Sequence, residues 1–191
     1  MTRPTVVLLN GVGSAGKSTI ARAFQKVARE PFLHVEMDAF LAMLPEACLD
    51  HPDGLSFETL TEDDRPAVAV ATGAVAERVL RGLRHAAAAM ASQGNNLIVD
   101  EVIFGNEATA QGNPIAEYRA LLAPYRLCVV GVFAPLEVLE AREAQRGDRH
   151  IGLARWQFGR VHRGMVYDLE VDSGSASPQA CALAIKRHFG L

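Results

Sequence analysis

Short runs of consecutive apolar residues alternate along the chain with stretches in which apolar residues recur every three or four positions. The first run, Thr5-Val6-Val7-Leu8-Leu9, reads as a strand buried on both faces. Ile20, Ala21, Phe24, Val27 and Ala28 follow at helical spacing. Phe32-Leu33-His34-Val35-Glu36-Met37 predicts a second strand that ends at Asp38. Residues 44–66 are rich in Pro, Gly, Asp and Glu and only weakly periodic, which predicts loops or short helices of the kind that face substrates. A long Ala-rich helix is expected over roughly residues 66–92, with Val68, Val75, Val79 and Leu83 on one face and Gly94-Asn95 ending it. Residues 96–103 form the next predicted strand, 115–122 a helix, and 127–133 a further strand. Pro135, in the first helical position that proline favours, opens a helix through Leu136, Val138, Leu139 and Arg142. A last strand over 167–171, a Ser/Gly loop and a helix over 178–189 complete the pattern.

Strands alternating with helices imply an α/β sheet, and no repeat or linker-like stretch divides residues 1–191. A single domain with a sizeable core is therefore expected. The composition, 49% hydrophobic and 21% charged, is that of an ordinary globular chain. A net charge of −3 gives no general reason to expect nucleic acid or an anionic membrane as partner. The apolar runs are too short or too interrupted for a membrane span, and Met1-Thr2-Arg3-Pro4 leads straight into the first strand without a signal peptide. Cys48, Cys128 and Cys181 are widely spaced and lack metal-like pairing, so they are expected to be reduced, in keeping with a cytoplasmic protein.

Between the first strand and the first helix lie Gly11, Val12, Gly13, Ser14, Ala15, Gly16, Lys17 and Ser18, with Thr19 next in the helix. This is a P-loop in the strand–loop–helix context that its mechanics require. Glycines let the backbone curl so that successive N–H groups and the positive end of the helix dipole point at phosphates. Lys17 would bridge the β- and γ-phosphates of a nucleoside triphosphate, and the Ser18 hydroxyl would ligate Mg²⁺.

Asp100 follows the apolar run Leu97-Ile98-Val99, where an acidic residue can bind Mg²⁺ beside Ser18. Glu101 points to the other side if the strand continues, and whether it takes part in catalysis stays open. Asp38, placed beyond the second strand, could accept a proton from an attacking hydroxyl or could cap a short helix over 39–44; placement alone does not choose. Arg142, Arg146 and Arg149 form the densest basic cluster. The first two share a helix face that ends near Gly147. Such a cluster suits a lid over residues 142–160 that gathers charge around a γ-phosphate, the alternative being a solvated face paired with Glu143 and Asp148.

With these pieces in place, the chain resembles the chloramphenicol phosphotransferase family of P-loop kinases. The resemblance runs through Leu8-Leu9-Asn10-Gly11, Ser14-Ala15-Gly16-Lys17-Ser18, Glu30-Pro31-Phe32, Met37-Asp38 and Ile98-Val99-Asp100-Glu101-Val102. It continues in Arg146-Gly147-Asp148-Arg149 and in the run of residues 161–172, including His162, Gly164, Tyr167-Asp168 and Glu170-Val171-Asp172. It implies a compact kinase domain with a five-stranded parallel sheet flanked by helices on both faces. It also implies ATP-dependent transfer of phosphate to a primary hydroxyl of the antibiotic. On that resemblance Asp38 takes the position of the catalytic base, and residues 172–175 that of the loop that holds adenine. Residues 48–72 depart most from the family pattern, in the region expected to shape the acceptor pocket.

The leading expectation is an ATP- and Mg²⁺-dependent O-phosphotransferase acting on a small hydroxylated molecule, chloramphenicol or another antibiotic. Asp38, Lys17, Arg146 and Arg149 are its catalytic candidates; the P-loop residues, Thr19 and Arg142 are its nucleotide ligands; Ser18 and Asp100 are its metal ligands. A kinase of a central metabolite of the shikimate or gluconate type is a second reading, although residues 32–44 hold no Arg or Lys for an anionic acceptor. A nucleotide-dependent binding module is a third. A small-molecule acceptor is expected and neither nucleic acid nor membrane; oligomeric state, including a homo-oligomer, is left open.

Overall fold

The first apolar run forms β1 (Thr5–Asn10) at the centre of a five-stranded sheet ordered β2-β5-β1-β6-β7. The computed structural model describes residues 3–62, 64–105, 113–147 and 150–191. β2 is Phe32–Glu36, β5 Asn96–Glu101, β6 Arg126–Phe133 and β7 Leu169–Asp172, and every pairing in the sheet is parallel. All six residues of β1 are buried. A central parallel strand is covered on both faces, which is why its sequence is continuously apolar rather than alternating.

Val7 and Leu9 turn toward α1 (Lys17–Val27) and α7 (Pro178–Phe189), which contribute Ile20, Phe24, Cys181 and Ile185 to that side of the core. Val6 and Leu8 meet α3 (Ala74–Ser92) and α4 (Pro114–Leu121) through Leu83, Ala87 and Tyr118. Helices thus flank both faces, as expected. The helix ends follow local chemistry. Ser177 accepts the Ala180 N–H ahead of Pro178, and Asn113 accepts the N–H groups of Ile115 and Ala116 ahead of Pro114. α5 (Leu136–Arg146) ends at Gly147 in the left-handed conformation. Pro135 lies just outside α5 rather than in its first position.

One expected element is overturned. The long helix begins only at Ala74, because Leu55–Glu62 and Arg65–Thr72 form an antiparallel hairpin, β3 and β4. Pro66-Ala67-Val68-Ala69-Val70-Ala71-Thr72 alternates with period two, and pairing to β3 outweighs the modest helix preference of its alanines. The hairpin stands apart from the main sheet. It leans on α6 (Leu153–Phe158), whose preceding residue Gly152 accepts the Val68 N–H at 3.0 Å. Gly152 has φ 100°, and a Cβ there would lie 2.8 Å from the Pro66 carbonyl oxygen, so only glycine fits this close crossing. Among the described residues no helix is long and apolar enough to cross a membrane. Cys48, Cys128 and Cys181 are free, and burial pushes the Cys128 thiol up to about 11.

Glu101 leaves the sheet on the α3/α4 side, away from the P-loop. It is 1% exposed, accepts from Arg84 Nη2 at 2.6 Å and from the Tyr118 hydroxyl at 2.7 Å, and Arg84 Nη1 reaches Glu117 at 3.0 Å. Burial raises the Glu101 carboxyl, while Arg84 and Tyr118 pull it back down. Glu101 therefore ties α3 and α4 to the sheet. Replacing Arg84 with Met leaves a buried carboxylate without its cation, so Arg84→Met is expected to lower the unfolding free energy by about 3–5 kcal/mol. Urea denaturation of the variant checks this; a loss under about 1 kcal/mol would mean the network is dispensable.

Candidate active site

The loop between β1 and α1 starts from a fixed point. Asn10 is fully buried, its Nδ2 donates to the Ile103 carbonyl at 3.1 Å, and its Oδ1 accepts the Ile103 N–H at 2.8 Å. Nδ2 also donates to the Tyr167 hydroxyl at 3.0 Å. The segment after β5 and the segment before β7 are thereby pinned to the root of the P-loop. Within the loop Ser14 (φ 64°) and Gly16 (φ 84°) are left-handed, and this alternation of hand turns successive N–H groups to one side. For Ser14 the conformation costs on the order of 1–3 kcal/mol, a strain typical of ligand clamps. α1 begins at Lys17 with no side chain capping its first turn, which leaves its N–H groups for an anion. The buried Lys17 ammonium donates to the carbonyls of Gly11 (2.8 Å) and Val12 (3.1 Å). Gly13 N–H donates to Gln157 Oε1 at 2.7 Å.

Two cavities open on this loop, and a third adjoins the inner one. The inner one, about 100 Å³, is bounded by Gly13, Lys17, Ser18, Asp38, Asp100 and Arg146 among others. An outer one, about 300 Å³, lies across the loop between Ser14, Ala15, Thr19, Arg142, Arg146 and Ser173. The third, about 220 Å³, is walled by Leu41, Leu55, Phe57, Val70, Leu80 and Phe104, and it touches Asp38 and Gln157. The β3–β4 hairpin supplies one wall of that apolar cavity, so residues 48–72, the stretch that departs most from the family pattern, do line a pocket.

The expected residues fall as follows. Ser18 and Asp100 share the inner cavity. Asp100 is buried, and its Oδ2 meets His34 Nε2 at 2.7 Å; His34 Nδ1 lies 3.2 Å from Glu36, which pairs with Arg22 at 3.0 Å. His34, Glu36 and Asp100 offer donor atoms within 4.8 Å of one another, a closeness that these contacts explain. Ser18 and Asp100 present the oxygen ligands that a hard cation such as magnesium takes. Asp38 does not follow β2 as a strand end. The strand stops at Glu36 and α2 (Met37–Leu41) begins at once, so Asp38 is the second helical residue while Glu36 occupies the cap position. The capping alternative for Asp38 is therefore corrected by the helix boundary.

Arg142 Nη1 and Nη2 donate to the hydroxyl (3.2 Å) and carbonyl (2.8 Å) of Ser173, and Ser173 Oγ donates to the Ala15 carbonyl at 2.7 Å. Arg142, the P-loop and residues 172–175 are thus one connected wall. Arg146 lines both the inner and the outer cavity. Arg149 lies outside the described residues. Glu143, expected as a partner of the arginines if their face were solvated, is instead 2% exposed and accepts the N–H groups of Gly152 (2.8 Å) and Ala154 (2.7 Å). It caps α6 and fastens that helix to α5. His34 and Gln157 carried no signal of function in the sequence, because each works through a partner far along the chain.

Known proteins resemble this chain in sequence and in fold. A sequence profile of chloramphenicol phosphotransferase-like proteins matches residues 4–190. A Mycobacterium tuberculosis protein provisionally named an O-phosphotransferase is 32% identical over 183 residues, spanning 93% of this chain and 78% of that relative. Similar solved structures include a sugar kinase of Janibacter sp. (TM-score 0.64, 20% identity, 98% of this chain and 95% of that one). The Mycobacterium tuberculosis APS kinase CysC bound to AMPPNP and APS has TM-score 0.63 and 18% identity, with both chains fully covered. Shikimate kinase from Acinetobacter baumannii has TM-score 0.57 and 14% identity, covering 98% of this chain and 93% of that one. At those identities the structural likeness establishes the fold alone.

His162 supports the site from behind. Its ring stacks on Phe133 with centroids 3.9 Å apart, and Nδ1 lies 2.7 Å from the Tyr167 hydroxyl. That hydroxyl accepts from Asn10, so it donates to Nδ1, which requires an unprotonated nitrogen. Burial first, and the Lys17 charge second, hold His162 down to about 4, and burial pushes Tyr167 up to about 12. The unfolded imidazole takes a proton near pH 6.5. The stabilisation linked to neutral His162 is thus present above that pH and is lost as pH falls toward about 4. NMR titration should find His162 neutral down to about pH 4. An imidazole titrating near 6.5 would contradict this environment.

Proposed function

The chain belongs to the family of chloramphenicol phosphotransferase-like proteins and is a P-loop phosphotransferase using ATP; on that premise we propose that it moves the γ-phosphate to a hydroxyl of a small, neutral acceptor with an apolar body, chloramphenicol being the first candidate. The observation that carries this reading is the position of Asp38. It lines both the cavity at the P-loop and the apolar cavity beside it, so one carboxylate serves the place where phosphate and acceptor would meet.

In this reading the uncapped N–H groups of α1 and the Lys17 ammonium hold the β- and γ-phosphate oxygens. The outer cavity, with Arg142 and residues 172–175 behind it, takes the adenosine end. Ser18 and Asp100 would hold magnesium, which when bound neutralises phosphate charge. Asp38 accepts the proton of the acceptor hydroxyl as its oxygen attacks phosphorus. Arg146, and Arg149 with it, supplies positive charge to the equatorial oxygens from a lid over 142–160. The same proposal places the enzyme in the cytoplasm.

The lining favours a neutral acceptor. Among the described residues the apolar cavity has no Lys or Arg; its polar side chains include Asp38, Thr72, His150 and Gln157. A carboxylated metabolite such as shikimate would bring its charge against Asp38 without a cation to offset it. ADP release and product mass, measured with chloramphenicol, shikimate and gluconate in turn, test the reading. One added phosphate on chloramphenicol and none on the two acids is the expected result; phosphorylation of an acid alone would replace it with the metabolite-kinase reading. Asp38→Asn is expected to keep the affinity for ATP and lower kcat by about 10²- to 10⁴-fold. Unchanged kcat in that variant removes Asp38 as the base.

A further inference from the structure

Phosphate must pass from the inner cavity to the apolar one, and five residues line both: Met37, Asp38, Val102, Leu153 and Gln157. Only Asp38 and Gln157 among them carry a polar side chain capable of strong hydrogen bonds. Asp38, ionised, can only accept. The complementary need at this junction is a donor, because a phosphoryl group in flight spreads negative charge over three oxygens.

Gln157 is built to be that donor. Its side chain is held in one orientation by the Gly13 N–H, which donates to Oε1 at 2.7 Å. A backbone N–H can bond only to the oxygen of the amide, so the assignment of Oε1 and Nε2 follows from the contact itself. Nε2 then carries two hydrogens, and no acceptor among the described residues takes them. The residue as a whole is 5% exposed, and among the described residues the only fully buried side-chain nitrogen or oxygen without a partner is Arg84 Nε, so Nε2 keeps access to the cavities that Gln157 lines. Its backbone is equally fixed. Glu143 caps the start of α6 through Gly152 and Ala154, and Gln157 stands one helical turn after Leu153. A preorganised neutral donor beside a phosphate path is effective because it need not reorient during transfer.

We propose that Gln157 is a catalytic residue that donates from Nε2 to an equatorial oxygen of the γ-phosphoryl group as it crosses from the P-loop to the acceptor, anchored by its Oε1 on Gly13. In the step it assists, the acceptor oxygen bonds to the γ-phosphorus while the bond from phosphorus to the bridging oxygen breaks. Asp38 takes the hydroxyl proton and ADP leaves with the bond electrons. The role rests on the phosphotransferase reading above but not on which acceptor is used.

The test therefore avoids the acceptor. AMPPNP with Mg²⁺, and ADP with Mg²⁺ and aluminium fluoride as a planar stand-in for the phosphoryl group, are titrated into wild type, Gln157→Met and Gln157→Glu by calorimetry. Methionine keeps the length and removes donor and acceptor; glutamate keeps an acceptor for Gly13, removes the donors and adds a negative charge, whose repulsion of the nucleotide the AMPPNP titration measures. Both variants are expected to bind AMPPNP within about threefold (methionine) or tenfold (glutamate) of wild type, yet to lose about 10²-fold in affinity for the fluoride complex. If Gln157→Met unfolds, Gln157→Glu, which retains the anchor to Gly13, decides alone. Fluoride-complex affinities that fall no further than those for AMPPNP would overturn the role of Gln157 while leaving the phosphotransferase intact. A wild type that binds AMPPNP but not the fluoride complex also overturns it, and a wild type that binds neither overturns the phosphotransferase reading itself.

Discussion

Helix α1 starts with a turn of backbone N–H groups that no side chain caps, directly after a strand sealed on both faces. Unsatisfied donors at a helix terminus are unfavourable unless water or an anion meets them. The left-handed Ser14 and Gly16 add conformational strain in the same few residues. These features make sense together as one arrangement that a bound polyanion would complete. The rest of the architecture follows from holding that arrangement still. β1 sits at the centre of the sheet, Asn10 bolts its end to Ile103 and Tyr167, and Ser173 ties the far side of the loop to β6 through the Ala15 and Phe133 carbonyls.

The charged groups divide by the face of the sheet from which they leave. Asp100 and Glu101 are neighbours in β5, yet one meets His34 on the P-loop side and the other meets Arg84 and Tyr118 beneath the opposite helices. Strand alternation alone separates a candidate metal ligand from a structural ion pair. The same contrast holds in α5, where Arg142 and Arg146 face the cavities while the intervening Glu143 turns inward to cap α6.

Most of the sheet was legible because buried parallel strands declare themselves as apolar runs, and the P-loop because its glycines and lysine must stand at fixed spacing. The hairpin was not. Its strands lie mostly half-exposed, so they lack the apolar run that marks a core strand, and the alanines of residues 67–71 carry a helical preference that pairing with β3 overrides. Asp38 was placed in the right neighbourhood but on the wrong side of a helix start, a boundary set by backbone geometry rather than by residue type. Gln157 left no trace in the pattern: its partner Gly13 is 144 positions away and takes part through its backbone.

The hairpin is tied to the rest of the protein by the Val68 N–H on the Gly152 carbonyl and the close passage of Pro66 over Gly152, and by the side-chain pairs Glu62–Arg160 at 3.0 Å and Phe57–His150 with centroids 4.0 Å apart. The first two are backbone contacts, indifferent to most of the side chains that β3 and β4 carry into the apolar cavity. Glu143 holds the Gly152 end of that connection from α5, so the seat for the hairpin is made by residues that belong to the phosphate side. On the proposed function, most of this wall of the apolar cavity could be rewritten by mutation or by grafting while the residues around the P-loop stay as they are.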